Sequence, residues 1–541
     1  MVDGDPKPAS PPEGDASPPA APAPGDDARL WRLALVVVLG AAALRLFLSS
    51  LAPLFPDETY YWEWSRRPAA SYFDHPPGIA ALIGFGTSLL GDTRAGVRFG
   101  PALAGLVGSL ALVFTARRIG GGRAALVTAA ALACMPLAAA GLVLATPDAP
   151  LLAAIAVALW AVIRAVEREP GSMSEIAWWC VAGLAVGGAM LSKYTAVLLP
   201  AGVAIGFALD PRLRPRLRTF GPWIGVGLGV AAFSPVIMWN ARLGWPSFAF
   251  QARHGLEAKG VEPGVLSILF NALRNEAELL GGQLGLVSPI LFVLIAIAVL
   301  LALGEALAGR GDERRSVLAG VAITAYGVFA LSAIKRAVEA NWPAPAYVAG
   351  VVVLATVSWT AVSRRWFRWG LVLGGLIIGV ILLHAIVPVV PIDPYDDPIG
   401  DAHGWNTVAA ETDQAIAELS ADGCPRVFVA GNRYQETSEL GFHLSGQPDV
   451  FSLNLASRTN QYDLWPTFTD LGEPGDCLLF VAPDGGSELL VAERLAPAFA
   501  SFEDLGRVER MRGSTGVGRT RIRAFRSWSG DTAPFDNGYG P

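Results

Sequence analysis

Long apolar runs broken by short polar loops dominate the chain between residues 31 and 387. They fall at 31–51, 97–116, 124–145, 149–166, 176–192, 195–209, 219–240, 285–306, 316–334, 342–362 and 369–387. A helix needs about 20 residues to cross the hydrocarbon of a bilayer, so the run at 78–90 is too short to span comfortably. Beyond residue 391 the pattern changes. RVFVA (426–430) and CLLFVA (477–482) read as buried strands, and 407–419 has helical spacing, with Gly and Pro punctuating the rest. The pattern predicts a polytopic α-helical membrane protein of about 11–13 transmembrane helices. A small α/β domain follows at 392–541. Residues 1–28, rich in Pro, Ala, Ser, Gly and Asp, cannot bury a core and predict a disordered tail. Their acidity is unlike the start of a signal peptide, so the first apolar run is read as a retained helix.

Charge gives the topology. Basic clusters stand at Arg117-Arg118-Arg123, Arg164-Arg168, Arg212-Arg214-Arg216-Arg218, Arg310-Arg314-Arg315 and Arg364-Arg365-Arg368. Two spans separate each cluster from the next, so all share the cytoplasmic side with Arg29 and Arg32, provided that 78–90 does not cross. That segment then lies on the outer surface as a juxtamembrane helix. Residues 52–96 become one external loop of a transmembrane domain covering 29–391. Asp57, Glu58, Asp74, His75, Asp148, Lys193, Lys335, Glu339 and Asn341 all fall at the external face. The loop 241–284 and the C-terminal domain fall there too.

Composition agrees. The 541 residues are 52% hydrophobic and 16% charged, against roughly 25% charged in soluble domains. Basic residues are confined to short loops with no basic domain, which excludes nucleic-acid binding. None of the four cysteines forms a CxxC or joins a His-rich zinc pattern. Cys134 and Cys180 lie in apolar runs and read as packing residues. Cys424 and Cys477 each precede a similar strand. If those strands are neighbours, the thiols could pair in an oxidising compartment.

The stretch Pro56–Pro77 (PDETYYWEWSRRPAASYFDHPP) concentrates the candidate chemistry. Asp57 and Glu58 occupy the first turn of a helix, where acids also favour the dipole. Tyr60, Tyr61, Trp62 and Trp64 fit an interfacial aromatic belt. Pro76 and Pro77 stiffen the backbone after Asp74-His75. Asp148 has the plainer alternative of capping a helix, and Lys193, at a span end, that of snorkelling. Arg45 inside the first span is costly unless it meets an acid or a phosphate. Acids and cations from separate loops gathered at one face suit chemistry on a lipid phosphate. Cations would hold the leaving phosphate while a carboxylate accepts the acceptor's proton.

Asp57-Glu58 with Tyr60-Tyr61-Trp62, FDHPP at 73–77, TPD at 146–148 and SKYT at 192–195 occur in that order. In this the chain resembles the GT-C superfamily of polyprenyl-phosphate-sugar-dependent glycosyltransferases, which includes lipid A aminoarabinose transferases and protein O-mannosyltransferases. The resemblance covers about residues 30–390. It implies a multi-pass enzyme of the bacterial inner membrane with its site facing the periplasm. The enzyme would take a sugar from a polyprenyl-phosphate donor to a lipid or protein acceptor, with membrane lipids around it and usually with inversion. Asp57 matches the family's acid of the first external loop, and Asp148 a second acid at a helix start; these are the expected catalytic residues. Asp74-His75 falls where the aminoarabinose transferases show an acid followed by a lysine, so His75 is a departure. Glu58, Asp74, His75, Arg45, Tyr60, Tyr61, Lys193, Lys335 and Glu339 are the expected substrate-binding residues. Carboxylates beside phosphate are able to hold a divalent metal; related transferases differ in this, and no metal ligand is assigned. Arg433-Tyr434-Gln435 and Asn460-Gln461-Tyr462-Asp463 resemble bacterial members of unassigned acceptor and receive no catalytic role. The alternative, a transporter or flippase for a lipid-linked saccharide, would place ionisable groups near the bilayer midplane, whereas these gather at one surface.

Overall fold

The structure, a computed structural model, describes residues 24–256, 265–455 and 458–538. The expected tail up to residue 23 lies outside the described residues. The helices of the membrane part are α1 (Pro24–Leu51), α2 (Pro56–Arg66), α3 (Gly78–Leu90), α4 (Arg94–Cys134), α5 (Pro136–Gly141), α6 (Asp148–Val166), α7 (Met173–Met190), α8 (Leu198–Leu209), α9 (Phe220–Arg242), α10 (Pro246–Leu256), α11 (Val265–Val287), α12 (Pro289–Leu307), α13 (Glu313–Ala333), α14 (Ala344–Thr356) and α15 (Ala361–Ile386). Among the described residues, 8 helices are long and apolar enough to cross a membrane. One of them, α4, breaks where Gly120 and Gly121 leave helical geometry, Gly121 with φ 71°. A left-handed residue there turns the chain back, so α4 supplies two of the expected spans. The shorter apolar helices Tyr194–Leu209 and Ala344–Thr356 cover the remaining ones.

The ends of the bundle separate by charge. At one end Glu167 accepts from Arg118 and Arg314, both at 2.9 Å, and from Arg164 at 3.1 Å. Arg212 donates to the carbonyls of Arg310 and Gly311, and Asp27 accepts from the Gly122 amide. The N-terminal helix and the basic loops therefore share one end, as the charge sorting required. At the other end lie both termini of α3. The Gly78 amide donates to Leu191 O, just after α7, at 2.7 Å. A Cβ on Gly78 would meet that same oxygen, and Gly86, Gly91, Gly96 and Gly100 let the far end of α3 lie flush on the start of α4. Both ends of α3 therefore lie at the same end of the bundle.

After α15 the chain enters a sheet domain. Its helices include α16 (Trp405–Ala421) and α17 (Tyr434–His443). Its strands are β1 (Val427–Gly431), β2 (Phe451–Ser452), β3 (Cys477–Pro483), β4 (Phe499–Arg512) and β5 (Thr515–Trp528), in the order β2-β1-β3-β5-β4. β1 pairs in parallel with β2 and β3, while β5 is antiparallel to β3 and β4. The expected strands are β1 and β3. Their adjacency, with Val427 opposite Cys477, brings Cys424 and Cys477 into a disulfide. The long β4–β5 hairpin escaped the sequence reading, because β4 is mostly exposed and carries charges where alternation with apolar residues would mark a strand. Asp397 accepts from Arg512 at 2.6 Å and pairs with His384 at 3.1 Å, tying the domain to the end of α15.

Candidate active site

The site is built on the first turns of α2 and the loop after it. Phe55 caps α2 with extended backbone, and Pro56 takes the first helical position, where its missing N–H costs nothing. Glu58 turns inward. Its carboxylate takes both the Nε and an Nη2 hydrogen bond of Arg98, which is fully buried, together with the amides of Ala145 and Phe55. Arg98 also donates to the carbonyls of Ser49, Ala52 and Pro53 at the end of α1. Glu58, expected to bind substrate, therefore has its oxygens occupied in fastening α1, α2 and α4 together. Arg98 was missed by the sequence reading, although a cation within an apolar helix signals a required partner.

Asp57, one residue earlier, points the other way. It is exposed to water although protein crowds around it. Burial raises its pKa; the hydrogen bond from Tyr434, at 3.2 Å, opposes this, Asp74 adds to it and Arg458 opposes it. Asp74 is buried and bonded by the Tyr60 hydroxyl at 2.7 Å and by Arg458 at 2.6 Å. Gln461 completes this corner, its amide N–H donating to the Tyr60 hydroxyl and its Oε1 accepting from the Phe73 amide, each at 2.7 Å. Arg458 lies over the rings of Phe250 and Tyr434. Tyr434, Arg458 and Gln461 come from the C-terminal domain, to which no catalytic part was given. α17 rests on α2 through Ser438, which bonds Thr59 and the Pro56 carbonyl, and through Phe442 against Trp62.

Asp148 and Lys193 meet at 2.8 Å, and Asn341 donates to the other oxygen of Asp148 at 2.7 Å. Asp148 makes no side-chain cap, and both residues are buried. The capping and snorkelling alternatives thus do not describe them. Tyr61 links this pair to the first corner. Burial pushes its phenol well above the usual range, and the charges of Asp57, Asp74 and Asp148 add to the effect. Its ring stands 6.1 Å from that of His75.

The structure therefore brings together Asp57, Asp74, Tyr60, Tyr61, His75, Asp148 and Lys193. It sets apart Arg45, Lys335 and Glu339. Arg45 donates to Leu132 O, the carbonyl left without a helical donor because Pro136, four residues on, has no N–H. Lys335 and Glu339 are exposed, and their segment reaches the site through Asn341 instead. Among the described residues no group of three or more His, Cys, Asp and Glu side chains is placed to hold a metal ion.

An apolar groove of about 400 Å³ runs along α7, α8 and α9, from Met190 and Val197, three and four residues along the chain from Lys193, to Phe207 and Trp223.

Comparison with known proteins bears on the fold. Residues 74–239 match the family described as dolichyl-phosphate-mannose-protein mannosyltransferase. The lipid A galacturonosyltransferase RgtD of Rhizobium johnstonii is 29% identical over 411 residues, covering 74% of this chain and 80% of that protein. The crystal structure of ArnT from Cupriavidus metallidurans in the apo state has a TM-score of 0.59 at 18% identity, covering 90% of this chain and 97% of that one. ArnT bound to undecaprenyl phosphate gives 0.61 at 18% identity, covering 96% and 100%. The likeness extends from residues 57–195 to the whole architecture, and the chain, with its 8 candidate membrane spans among the described residues, shares the fold of ArnT.

Proposed function

We propose that the protein transfers a sugar from a polyprenyl-phosphate carrier to a lipid acceptor at the periplasmic face of the bacterial inner membrane. Asp57 is the general base. The observation that carries this reading is the meeting of Asp57 with Tyr434, with cations close by on the neighbouring acids, Arg458 on Asp74 and Lys193 on Asp148, and the charges of all three acids reaching Tyr61. The acceptor hydroxyl gives its proton to Asp57 as its oxygen attacks the anomeric carbon. The bond from that carbon to the phosphate oxygen breaks, and the electron pair leaves with the polyprenyl phosphate. Lys193 and Arg458 neutralise the departing charge, which is worth most in a site that excludes water. One displacement inverts the anomeric centre. Asp148, itself held by Asn341, positions Lys193, and Asp74, itself held by Tyr60, positions Arg458. Burial of Asp57 brings its pKa toward the working pH, as suits a base.

The likeness to RgtD supports a lipid acceptor and makes a galacturonosyl donor the first to try. The disulfide between Cys424 and Cys477 supports an oxidising compartment for the C-terminal domain. In membranes supplied with a polyprenyl-phosphate sugar, Asp57→Asn should lower transfer by at least about 100-fold, the usual worth of a positioned base. Expression and melting temperature should stay unchanged. Undiminished transfer would sink the role given to Asp57.

A further inference from the structure

At the basic end of the bundle, opposite Asp57, a second cavity of about 420 Å³ opens between α4, α6 and α7. Phe114, Arg117, Arg118, Trp160, Arg164 and Trp178 line it. Sugar transfer makes no use of it. Its rings and guanidinium groups are interleaved. Arg117 lies 4.1 Å from the ring centre of Trp31, which stands 5.1 Å from Phe114. Arg164 lies 5.1 Å from the ring of Trp178, which meets Trp160 edge-on at 4.9 Å.

The charge balance is lopsided. Glu167 is the acid at this site, and Arg118, Arg164 and Arg314 share it. Among the described residues no acid pairs with Arg117. Three guanidinium groups therefore face a cavity with less than one carboxylate between them, in a position where five N–H donors of Arg117 have a ring beneath them and no acceptor. The apolar side is equally exposed. Phe114 continues down α4 into Val107 and Leu103 on the same face, and Trp178 continues down α7 into Val181 and Leu184. Leu103, Val107, Phe114, Val181 and Leu184 are exposed, and Trp178 is half-buried.

An occupant must satisfy both halves. A soluble anion would leave the apolar tracks uncovered, and a neutral lipid would leave the arginines uncompensated. We propose that this cavity binds an anionic phospholipid of the leaflet on the basic side. Its phosphate sits on Arg117 and Arg164, where guanidinium forks match phosphate oxygens. Its acyl chains lie along Leu103, Val107 and Phe114 and along Val181 and Leu184. Basic pockets between helices on this side of a membrane suit such headgroups.

The test uses the full chain purified in detergent and incubated with equal phosphatidylglycerol and phosphatidylcholine, with retained lipid counted by native mass spectrometry. Phosphatidylglycerol should be retained in preference. The Arg117→Gln/Arg164→Gln double variant should lose about thirtyfold in that preference, at roughly fivefold per arginine near a membrane surface. If the double variant does not fold, Arg117→Gln alone removes no ion pair and should lose about fivefold. Sugar transfer serves as the folding control. Equal retention of the two lipids by the parent protein, unchanged preference in the variants, or displacement of the lipid by millimolar inorganic phosphate would each overturn the proposal.

Discussion

The pair Asp148–Lys193 offers the sharpest separation of frame from chemistry. Each side chain is 11% exposed and they meet at 2.8 Å. Replacing Lys193 with Met leaves Asp148 buried with Asn341 as its remaining partner. Removing one member of a buried ion pair costs about 3–5 kcal/mol, because the other charge is stranded. The melting temperature of Lys193→Met should fall accordingly. Asp148→Asn in the same chain removes the stranded charge and should restore most of the stability. Activity should behave differently. A hydrogen bond to a charged group is worth about 1.5–3 kcal/mol, so loss of the contact with the donor phosphate should lower kcat/KM for the donor by about 10–100-fold. The double variant should stay low while its stability recovers. Thermal unfolding in detergent and transfer rates at several donor concentrations read the two quantities independently. A double variant that regains both stability and transfer would refute the phosphate-holding role and leave the pair purely structural.

Three further outcomes follow from the same geometry. Tyr434→Phe removes the hydrogen bond that lowers the pKa of Asp57; because the base must be ionised, the acid limb of the pH profile of kcat/KM should move to higher pH, and an unmoved limb would exclude that contact. Arg98→Met strands Glu58 inside the protein, so it should cost about 3–5 kcal/mol in thermal unfolding, most of it recovered by adding Glu58→Gln. Glu63, buried on α2 against the C-terminal domain, has its pKa raised to about 7 by burial, with Arg66 and Arg67 opposing. The folded state therefore binds this proton more tightly than the unfolded chain does. Its contribution to stability is greatest below about pH 4.5 and is lost as pH rises toward 7, by about 3 kcal/mol in all. Glu63→Gln should flatten that fall and raise the melting temperature at pH 8; a variant with the parent's pH dependence would count against it.

The sequence by itself determined the membrane architecture, the sorting of charge between the two ends of the bundle, and which polar residues stand out at the end opposite the arginines. Those are properties of consecutive residues measured against bilayer and water. Apolar length marks the spans, Arg117 to Arg368 mark one end, and Asp57, Asp74, Asp148 and Lys193 stand out because ionisable groups at a membrane need a reason. Tertiary structure decided what each polar group meets. Neighbours Asp57 and Glu58 look alike in the chain, yet a helix turns successive side chains by about 100°, so one is exposed and meets Tyr434 while the other is buried and fastened to Arg98. Arg45 meets the carbonyl freed by Pro136, a partner no local pattern announces. The opposite wall, Tyr434 and Arg458, arrives from 377 and 384 residues away from the acids it meets. No local periodicity carries that pairing. It exists because α17 packs on α2, and packing between distant surfaces is fixed only when the whole chain has folded.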